Sequence, residues 1–319
     1  MQTVRTLVLG LLIFATTLSL NAGAASAAES VRVGTWKTAQ TIQPFFYQQF
    51  LGQGLTVDVR SFTNPADQKT ALLAGSLEMT GSTLAHAIAS AAQGEPIVIV
   101  AALCNKCSAL VVGKNSAIRS VKDLKGKTIG YVPGTMHEIL LREILKRNGI
   151  SPDTGVKLVR IDFFDMGTAL ARGQIDAFLS GEPFPAMAVA RGYGRILSYP
   201  YFDDSLGTIN ACMIVKRSTI EHDPALVAKL VLAHAEATRY LRSHPEKWLN
   251  AAAGFGTPLA ILHKAAANME LSWDMNATFV RQAKALGERM QALGIIKNQP
   301  DYSRLFDLSF VRQARAQLP

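Results

Sequence analysis

From residue 31 to residue 198 the chain alternates short apolar runs of strand character with longer segments of helical periodicity. Pro96–Leu103 is wholly apolar, which is typical of a strand covered on both faces of a sheet. The segment Ser120–Ile150 shows the same rhythm, because a strand over Thr128–Val132 is broken at Pro133 and an amphipathic helix follows. The pattern predicts an open α/β sheet with right-handed crossovers.

After Asp223 the strand signals disappear and helical periodicity takes over. The predicted helices of this part are Pro224–Ser243, Glu246–Ala253, Pro258–Met269, Asn276–Leu293 and Tyr302–Gln317. We therefore predict the α/β class, with open and mostly parallel sheets and a helical C-terminal tail.

The first residues have the features of a secretory signal peptide. Arg5 precedes an apolar run over Leu7–Leu20, which is shorter than the ~20 residues that a membrane-spanning helix needs. Small residues follow, with Ala-x-Ala cleavage candidates at Ala22–Ala24 and Ala25–Ala27. We expect residues 1–27 to be removed on export and the mature protein to work in the periplasm.

The composition is that of a globular chain with a sizeable core, since 49% of its 319 residues are hydrophobic. Without residues 1–27, this length suits one large or two medium domains. The formal net charge is +9, but the positive residues are scattered and form no run of five or more. This argues against a nucleic-acid partner, although a mild positive field would help an anionic ligand to approach.

Two similar turns are candidates for binding a polar or anionic ligand. Gly134-Thr135 and Gly81-Ser82-Thr83 each stand between a predicted strand and the start of a predicted helix. Free backbone N–H groups and hydroxyls at a helix N-terminus suit an anion. Each hydroxyl residue could equally be an ordinary helix cap.

Further candidates lie near the ends of other predicted elements. Trp36, after Thr35, could be an aromatic wall for a ligand or part of the core. Asn64 could hydrogen-bond a ligand or belong to a plain Asn-Pro turn. His137 could donate to an anion or lie on the surface. Glu182 suits an amine or hydroxyl better than a bare sulfonate, or is simply an acidic residue that favours a helix start.

Six segments, in this order and spacing, resemble a known family. They are Val31–Gly34, Leu72–Thr83 (LLAGSLEMTGST), Ala109–Val112, Ser120–Lys127 (SVKDLKGK), Tyr131–Thr135 (YVPGT) and Gly181–Phe184 (GEPF). Together they are similar to the solute-binding proteins of ABC importers for nitrate, taurine, alkanesulfonates and thiamine-pyrimidine precursors. The resemblance covers nearly all of the chain after the signal peptide.

The resemblance implies a two-lobe periplasmic-binding-protein fold of type II, with the ligand in the cleft. Lobe 1 would comprise residues 28–113 plus 208–319, and lobe 2 residues 114–207. The two Gly-Ser/Thr turns would then face each other and hold one ligand from both sides. The implied partners are a small solute and the permease and ATPase of the importer; we expect a monomer, hinge closure and no cofactor.

The three cysteines of the chain are candidates for a disulfide or a metal site. Cys104 and Cys107 are expected to form a disulfide in an oxidising exported compartment, with a soft-metal site or two isolated thiols as the alternatives. Cys212, on a strand predicted beside Ala109–Gly113, is expected to be a small buried apolar residue rather than the third ligand of a metal.

The same fold includes a thiamine-pyrimidine synthase that carries a Lys and, four residues later, a His on one helix. Here His86 is present, but Ser82 stands where that Lys would bind pyridoxal phosphate. Common catalytic motifs such as Gly-x-Ser-x-Gly, His-Glu-x-x-His and the P-loop are absent from the sequence. We therefore expect a binding protein and not an enzyme.

The favoured solute is a small polar or anionic organic molecule such as a sulfonate or taurine, or nitrate itself. The alternatives are a thiamine-pyrimidine precursor or another nitrogenous solute, and less favoured, a secreted enzyme on the same scaffold. A sensor that binds the same solute and reports to a receptor also fits the sequence.

Overall fold

The computed structural model describes residues 29–63, 65–201 and 206–318. The predicted signal peptide therefore lies outside the described residues. Within them the chain forms two β-sheets, each flanked by helices, and the chain crosses from one sheet to the other twice. This confirms the predicted α/β class.

The first sheet has six strands in the order β11-β4-β10-β3-β1-β2. The strands are β1 (Glu29–Trp36), β2 (Leu55–Phe62), β3 (Met79–Thr83), β4 (Ile97–Lys106), β10 (Ile209–Lys216) and β11 (Met269–Leu271). β1 pairs in parallel with β2 and β3, while β10 runs antiparallel between β3 and β4. β10 is the strand by which the chain returns from the other sheet.

The second sheet has five strands in the order β7-β6-β8-β5-β9. They are β5 (Ser108–Gly113), β6 (Thr128–Tyr131), β7 (Lys157–Arg160), β8 (Ala177–Gly181) and β9 (Gly194–Ser198). β6 pairs in parallel with β7 and β8, and β5 runs antiparallel between β8 and β9. β5, by which the chain enters the second sheet, and β10, by which it returns to the first, each run antiparallel to both of their neighbours.

Most helices belong to the part of the chain that carries the first sheet, here called the first lobe. They are α1 (Pro65–Leu73), α2 (Leu84–Ala92), α6 (Arg217–His222), α7 (Pro224–Ser243), α8 (Pro245–Ala253), α9 (Leu259–Ala266), α10 (Ala277–Ala292), α11 (Tyr302–Leu305) and α12 (Ser309–Gln317). The second lobe carries α3 (Met136–Arg147), α4 (Met166–Ala171) and α5 (Phe184–Ala190). Short 3₁₀ turns lie at Ala39–Thr41, Gln43–Gln49 and Val121–Leu124.

One predicted helix is corrected. Before it along the chain, Ala39–Thr41 and Gln43–Gln49 form two 3₁₀ turns and not one α-helix, since Pro44 lacks the N–H that an α-helix would use there. The helix predicted over Pro258–Met269 ends at Ala266, and Met269 begins the edge strand β11. A three-residue strand is too short for periodicity to reveal.

The predicted boundary of lobe 1 at residue 113 is also corrected. β5 pairs with β8 and β9 and so belongs to the second sheet. Only Cys107 separates it from β4. The apolar pattern is nearly continuous through both strands, so hydrophobicity alone does not show where the chain changes sheet. The chain is back in the first sheet at β10, which begins at Ile209.

The two lobes pack against each other as well as being joined by the chain. Ile88 of α2 and Ile144 of α3 belong to one continuous cluster of buried apolar side chains that extends through both lobes. The two helices are in contact. On another side, α5 of the second lobe contacts α9 of the first. None of the helices in the described ranges combines the length and the apolarity that crossing a membrane requires.

Candidate functional site

The two chain crossings lie side by side and are held by backbone hydrogen bonds. Lys106 and Cys107 have φ angles of 59° and 72°, a left-handed conformation that costs roughly 1–2 kcal/mol per residue without glycine. The Lys106 N–H donates to the carbonyl of Thr208, on the second crossing, at 2.7 Å. The Cys107 N–H donates to the carbonyl of Asn268 at 2.7 Å. Such local strain is typical of functional sites.

Asn268 links the lobes through its side chain. Its Nδ2 donates to the carbonyl of Ser108 (3.2 Å), and its Oδ1 accepts from the Tyr201 hydroxyl (2.9 Å). The Tyr201 oxygen in turn accepts the Ser108 N–H. Asn210 adds a bond from Nδ2 to the carbonyl of Lys106 (2.8 Å). These described residues form a polar hydrogen-bonded network at the crossings, here called the hinge, which sequence reasoning missed because its members are distant along the chain.

A cavity of about 50 Å³ lies beside this hinge, between the lobes. Side chains from both lobes line it: Trp36, Thr38, Gln40, Thr41, Thr63, Pro65, Thr83, Cys104, Cys107, His137, Phe163, Phe164, Gly181, Phe184, Asn210 and Ala211. Among the described residues, those that line the cavity include no Lys, Arg, Asp or Glu. As far as these residues define it, the cavity is small, uncharged and rich in aromatic rings.

An aromatic cluster from the second lobe forms one wall. The rings of Phe163 and Phe184 are stacked with centroids 6.0 Å apart, and Phe164 meets Phe184 edge to face at 4.8 Å. His137 meets Phe163 edge to face at 5.5 Å. Trp36 faces the same cavity from the end of β1. Faces and edges of this kind suit a flat ring.

His137 is a neutral hydrogen-bonding group. Burial lowers its pKa to about 4, so the ring is uncharged near neutral pH. Its Nδ1 lies 3.0 Å from the Ser108 hydroxyl, which also accepts from the Asn210 amide. If the single Ser108 proton goes to Nδ1, the imidazole proton is on Nε2. Gly181 leaves room for this ring, because a Cβ there would lie 3.0 Å from Nε2.

Two buried polar atoms of cavity-lining residues have no hydrogen-bond partner among the described residues. They are Nε1 of Trp36, a donor, and Oε1 of Gln40, an acceptor. A buried polar group without a partner costs about 1–3 kcal/mol. Because both residues line the cavity, this donor and this acceptor are candidates for bonding a ligand. Gln40 was missed by sequence reasoning, because a Gln in a polar segment carries no distinctive signal.

Glu182 lies behind the cavity and does not line it. Its Oε2 accepts from the Ala186 N–H (3.1 Å), its Oε1 accepts from Asn268 Nδ2 (3.4 Å), and its carbonyl accepts from Gln40 Nε2. Burial raises its pKa to about 7, against the opposing effect of these two bonds to the carboxylate. The residue is therefore part of the hinge.

The three cysteines are free and buried, so the predicted disulfide between Cys104 and Cys107 is not formed in this structure. A hydrogen bond with Cys104, together with burial, raises the pKa of the Cys107 thiol. Cys212 lies on β10 between β3 and β4 and not beside β5, and burial raises its pKa too. Among the described residues no group of three His, Cys, Asp or Glu side chains is arranged to hold a metal ion.

The predicted two-sided clamp is not assembled. The Gly134 N–H donates to Glu138 Oε2 at 2.8 Å, and the Thr135 hydroxyl donates to the carbonyl of Val132 at 2.7 Å. Thr135 also caps α3 by accepting from the Glu138 N–H. The helix start is thus occupied by the chain's own carboxylate, and neither residue of this turn lines the cavity.

The second turn contributes one residue to the cavity. Thr83 lines it and caps α2 by accepting from the His86 N–H at 3.2 Å. Ser82 is buried and donates to the carbonyl of Thr83. Thr35 is likewise buried away from the cavity and donates to the carbonyl of Thr41.

Three of the nine predicted ligand residues therefore line the cavity: Trp36, Thr83 and His137. Asn64 lies outside the described residues, although Thr63 and Pro65 on either side of it line the cavity.

Residues 46–248 match the NMT1/THI5-like family model. The chain is 27% identical over 198 residues to the 4-amino-5-hydroxymethyl-2-methylpyrimidine phosphate synthase of Schizosaccharomyces pombe, covering 59% of this chain and 56% of that protein. It is 28% identical over 207 residues to a Brucella abortus protein described as a binding protein, covering 63% of this chain and 62% of the relative. The chain thus spans less than two thirds of either relative.

Solved structures share the fold at low sequence identity. The ligand-binding component of an ABC-type import system from Staphylococcus aureus, with zinc bound, gives a TM-score of 0.79 at 15% identity, covering 90% of this chain and 99% of that one. The alkanesulfonate-binding protein SsuA from Xanthomonas axonopodis pv. citri, bound to MOPS, gives 0.77 at 20% identity, covering 89% and 99%. The predicted two-lobe binding-protein fold is confirmed.

Proposed function

Because the chain belongs to the NMT1/THI5-like family, we propose that it is the solute-binding component of an ABC importer, working as a monomer in the periplasm. The observation that carries the proposal is the cavity lined from both lobes beside two paired crossings. A solute that contacts both lobes stabilises the closed form, because it makes more contacts there than in an open form. The closed protein would then dock on a permease coupled to an ATPase.

The solute class that the cavity fits best is a small, uncharged, flat nitrogen heterocycle such as an aminopyrimidine. Trp36 Nε1 can donate to a ring nitrogen, and Gln40 Oε1 can accept from an amino group. The rings of Phe163, Phe164 and Phe184 offer aromatic faces and edges against which a flat ring can pack. Such a nitrogenous solute is the alternative predicted from the sequence.

A sulfonate or nitrate fits less well. Within the described part of the chain no Lys or Arg lines the cavity, and His137 is held neutral by burial. An anion moved into such a site loses its hydration without gaining a countercharge. Glu182, whose pKa is raised to about 7 by burial, supplies no countercharge either.

A synthase activity is the second candidate, since relatives of this chain are named as pyrimidine synthases. The lining residues do not fit pyridoxal phosphate, because no Lys is among them to bond the cofactor covalently. Ser82, at the position where the resemblance would place that Lys, is buried and bonded to the backbone. We therefore propose capture and release without chemistry.

Calorimetry and thermal shift with the purified protein test this function. The panel comprises 4-amino-5-hydroxymethyl-2-methylpyrimidine, taurine, an alkanesulfonate and nitrate. We expect the pyrimidine to be recovered unchanged and, at 100 times its dissociation constant, to stabilise the fold by about 2.7 kcal/mol. Binding of the sulfonate or nitrate alone would overturn the proposed solute class. Conversion of the bound pyrimidine to a new product would favour the enzyme.

A further inference from the structure

Gln40 contacts both lobes at once. It lies in the 3₁₀ turn Ala39–Thr41 of the first lobe, and only 8% of it is exposed. Its Nε2 donates across the cleft to the main-chain carbonyl of Glu182, at the end of β8 in the second lobe. Its Oε1 has no partner in the described part of the chain, and the residue lines the cavity.

The Glu182 contact fixes which way the amide points. A main-chain carbonyl can only accept, so the NH₂ end of Gln40 must face Glu182. The planar amide then holds its oxygen, an obligatory acceptor, away from that contact. One end of a single rigid group is thereby tied to the second lobe, while the other end can meet a ligand.

An unpartnered side-chain oxygen is not unique to Gln40 among the buried glutamines of the described residues. Gln43 and Gln68 also have a bonded Nε2 and an Oε1 without a partner in the described residues. Gln43 donates to the Leu103 carbonyl (2.8 Å) and Gln68 to the Thr80 hydroxyl (2.7 Å). Both bonds stay within the first lobe, and neither residue lines the cavity. Of these three glutamines, only Gln40 both lines the cavity and donates a hydrogen bond to the second lobe.

We propose that Gln40 couples ligand occupancy to lobe closure and selects solutes that carry an N–H or O–H donor, a proposal that rests on the proposed function. When the lobes separate, the bond to Glu182 breaks and the amide is free to rotate. A donor on the solute holds the amide in the orientation that bonds the second lobe. Because such coupling is reciprocal, closure also strengthens the bond to the solute.

The experiment compares Gln40→Met with the matched control Gln43→Met. Both remove a buried amide of the same size from neighbouring 3₁₀ turns. The probes are 4-amino-5-hydroxymethyl-2-methylpyrimidine and the analogue with a methyl in place of the amino group. Calorimetry gives each affinity, and small-angle scattering gives the radius of gyration with and without probe.

We expect the wild-type protein and Gln43→Met to bind the amino compound at least about tenfold more tightly than the methyl analogue, the size of one buried hydrogen bond. Gln40→Met should lose most of this preference and remain more extended when saturated. At a pH at which its carboxylate is ionised, Gln40→Glu keeps the cavity acceptor but has no donor for the Glu182 carbonyl. That variant should keep the preference for the amino compound and close less completely.

The failures are distinguishable. If the wild-type protein binds the pyrimidine and Gln40→Met keeps both the preference and full compaction, the role of Gln40 is refuted while the proposed function stands. If the wild-type protein binds neither pyrimidine, both proposals fall. Equal loss of preference in Gln43→Met would show a general effect of core damage and would also refute the coupling.

Discussion

Among single residues, a few polar side chains set the hydrogen-bonding character of the cavity. Trp36 and His137 were predictable as candidates, since an aromatic or imidazole group follows a strand or begins a helix. The charge of His137 and the hydrogen bonding of Trp36 were not predictable from the sequence. The neutrality of His137 follows from burial, and the free donor of Trp36 follows from what surrounds its Nε1.

Glu182 gives a pH-dependent prediction. Its pKa is about 7 in the folded protein against an ordinary value of 4.5. The protonated form is favoured by folding, so its contribution to stability is complete below pH 4.5 and is lost as the pH rises through 7. Glu182→Gln removes this dependence. The melting temperature of the variant should therefore rise relative to wild type between pH 5 and pH 8.

The change corresponds to as much as about 3 kcal/mol, at 1.36 kcal/mol per unit of pKa. His137 and His234 titrate in both proteins, so they cancel in the comparison. The control is Glu221→Gln, at an exposed position on α6, which should show a constant offset. A Glu182→Gln curve parallel to wild type from pH 5 to pH 8 would mean that the carboxyl titrates normally.

At the scale of elements, the start of α3 shows how a well-predicted helix can have a wrongly predicted role. The strand, the turn and the helix were all predicted close to their observed bounds, from local sequence. The anion site was not formed, because Glu138 bonds the Gly134 N–H and also pairs with Arg142. Whether a helix N-terminus is free depends on the side chains that return to it.

Thr135→Ala tests this reading of α3. Loss of the N-cap should lower the free energy of unfolding by about 1 kcal/mol. Affinity for the solute should stay within about twofold, because Thr135 does not line the cavity. Denaturant melts and calorimetry measure the two quantities.

Thr83→Ala is the matched comparison. Thr83 caps α2 and also lines the cavity, so stability and affinity should both fall. A loss of affinity in Thr135→Ala as large as that in Thr83→Ala would restore the predicted two-sided clamp.

At the scale of the whole molecule, an ion pair bridges the two lobes away from the cavity. Glu143 of α3 accepts from Arg289 of α10 at 2.7 Å and from Arg147 of its own helix at 2.6 Å. The Glu143 and Arg289 side chains are 11% and 19% exposed, so solvent screens the pair only partly. The contact joins the helical tail of the first lobe to the second lobe and should favour closure.

Glu143→Gln should weaken solute binding by about three- to tenfold, on the scale of a partly buried ion pair, and should enlarge the radius of gyration of the free protein. Asp153→Asn is the control. Asp153 pairs with Arg142 of α3, so this ion pair lies entirely within the second lobe. The Asp153 side chain is 79% exposed. Equal affinities for Glu143→Gln and wild type would remove this pair from the closure mechanism.

Hydrophobic periodicity along the sequence predicts the α/β class, the helical tail and the order of most strands and helices, because such periodicity is a local property of the chain. The long helix Pro224–Ser243 has its predicted bounds, since Pro224 begins it and its apolar positions repeat regularly.

Contacts between distant parts of the chain create the change of sheet at Lys106–Cys107 and place Gln40 at the cavity. Both features depend on hydrogen bonds between residues that are far apart in the sequence, whereas the bond from Gly134 to Glu138 spans only four residues. Gln40 and Glu182 are 142 residues apart. A polar group can bind a ligand or form a structural hydrogen bond. Which of the two it does depends on the partner that the fold places beside it.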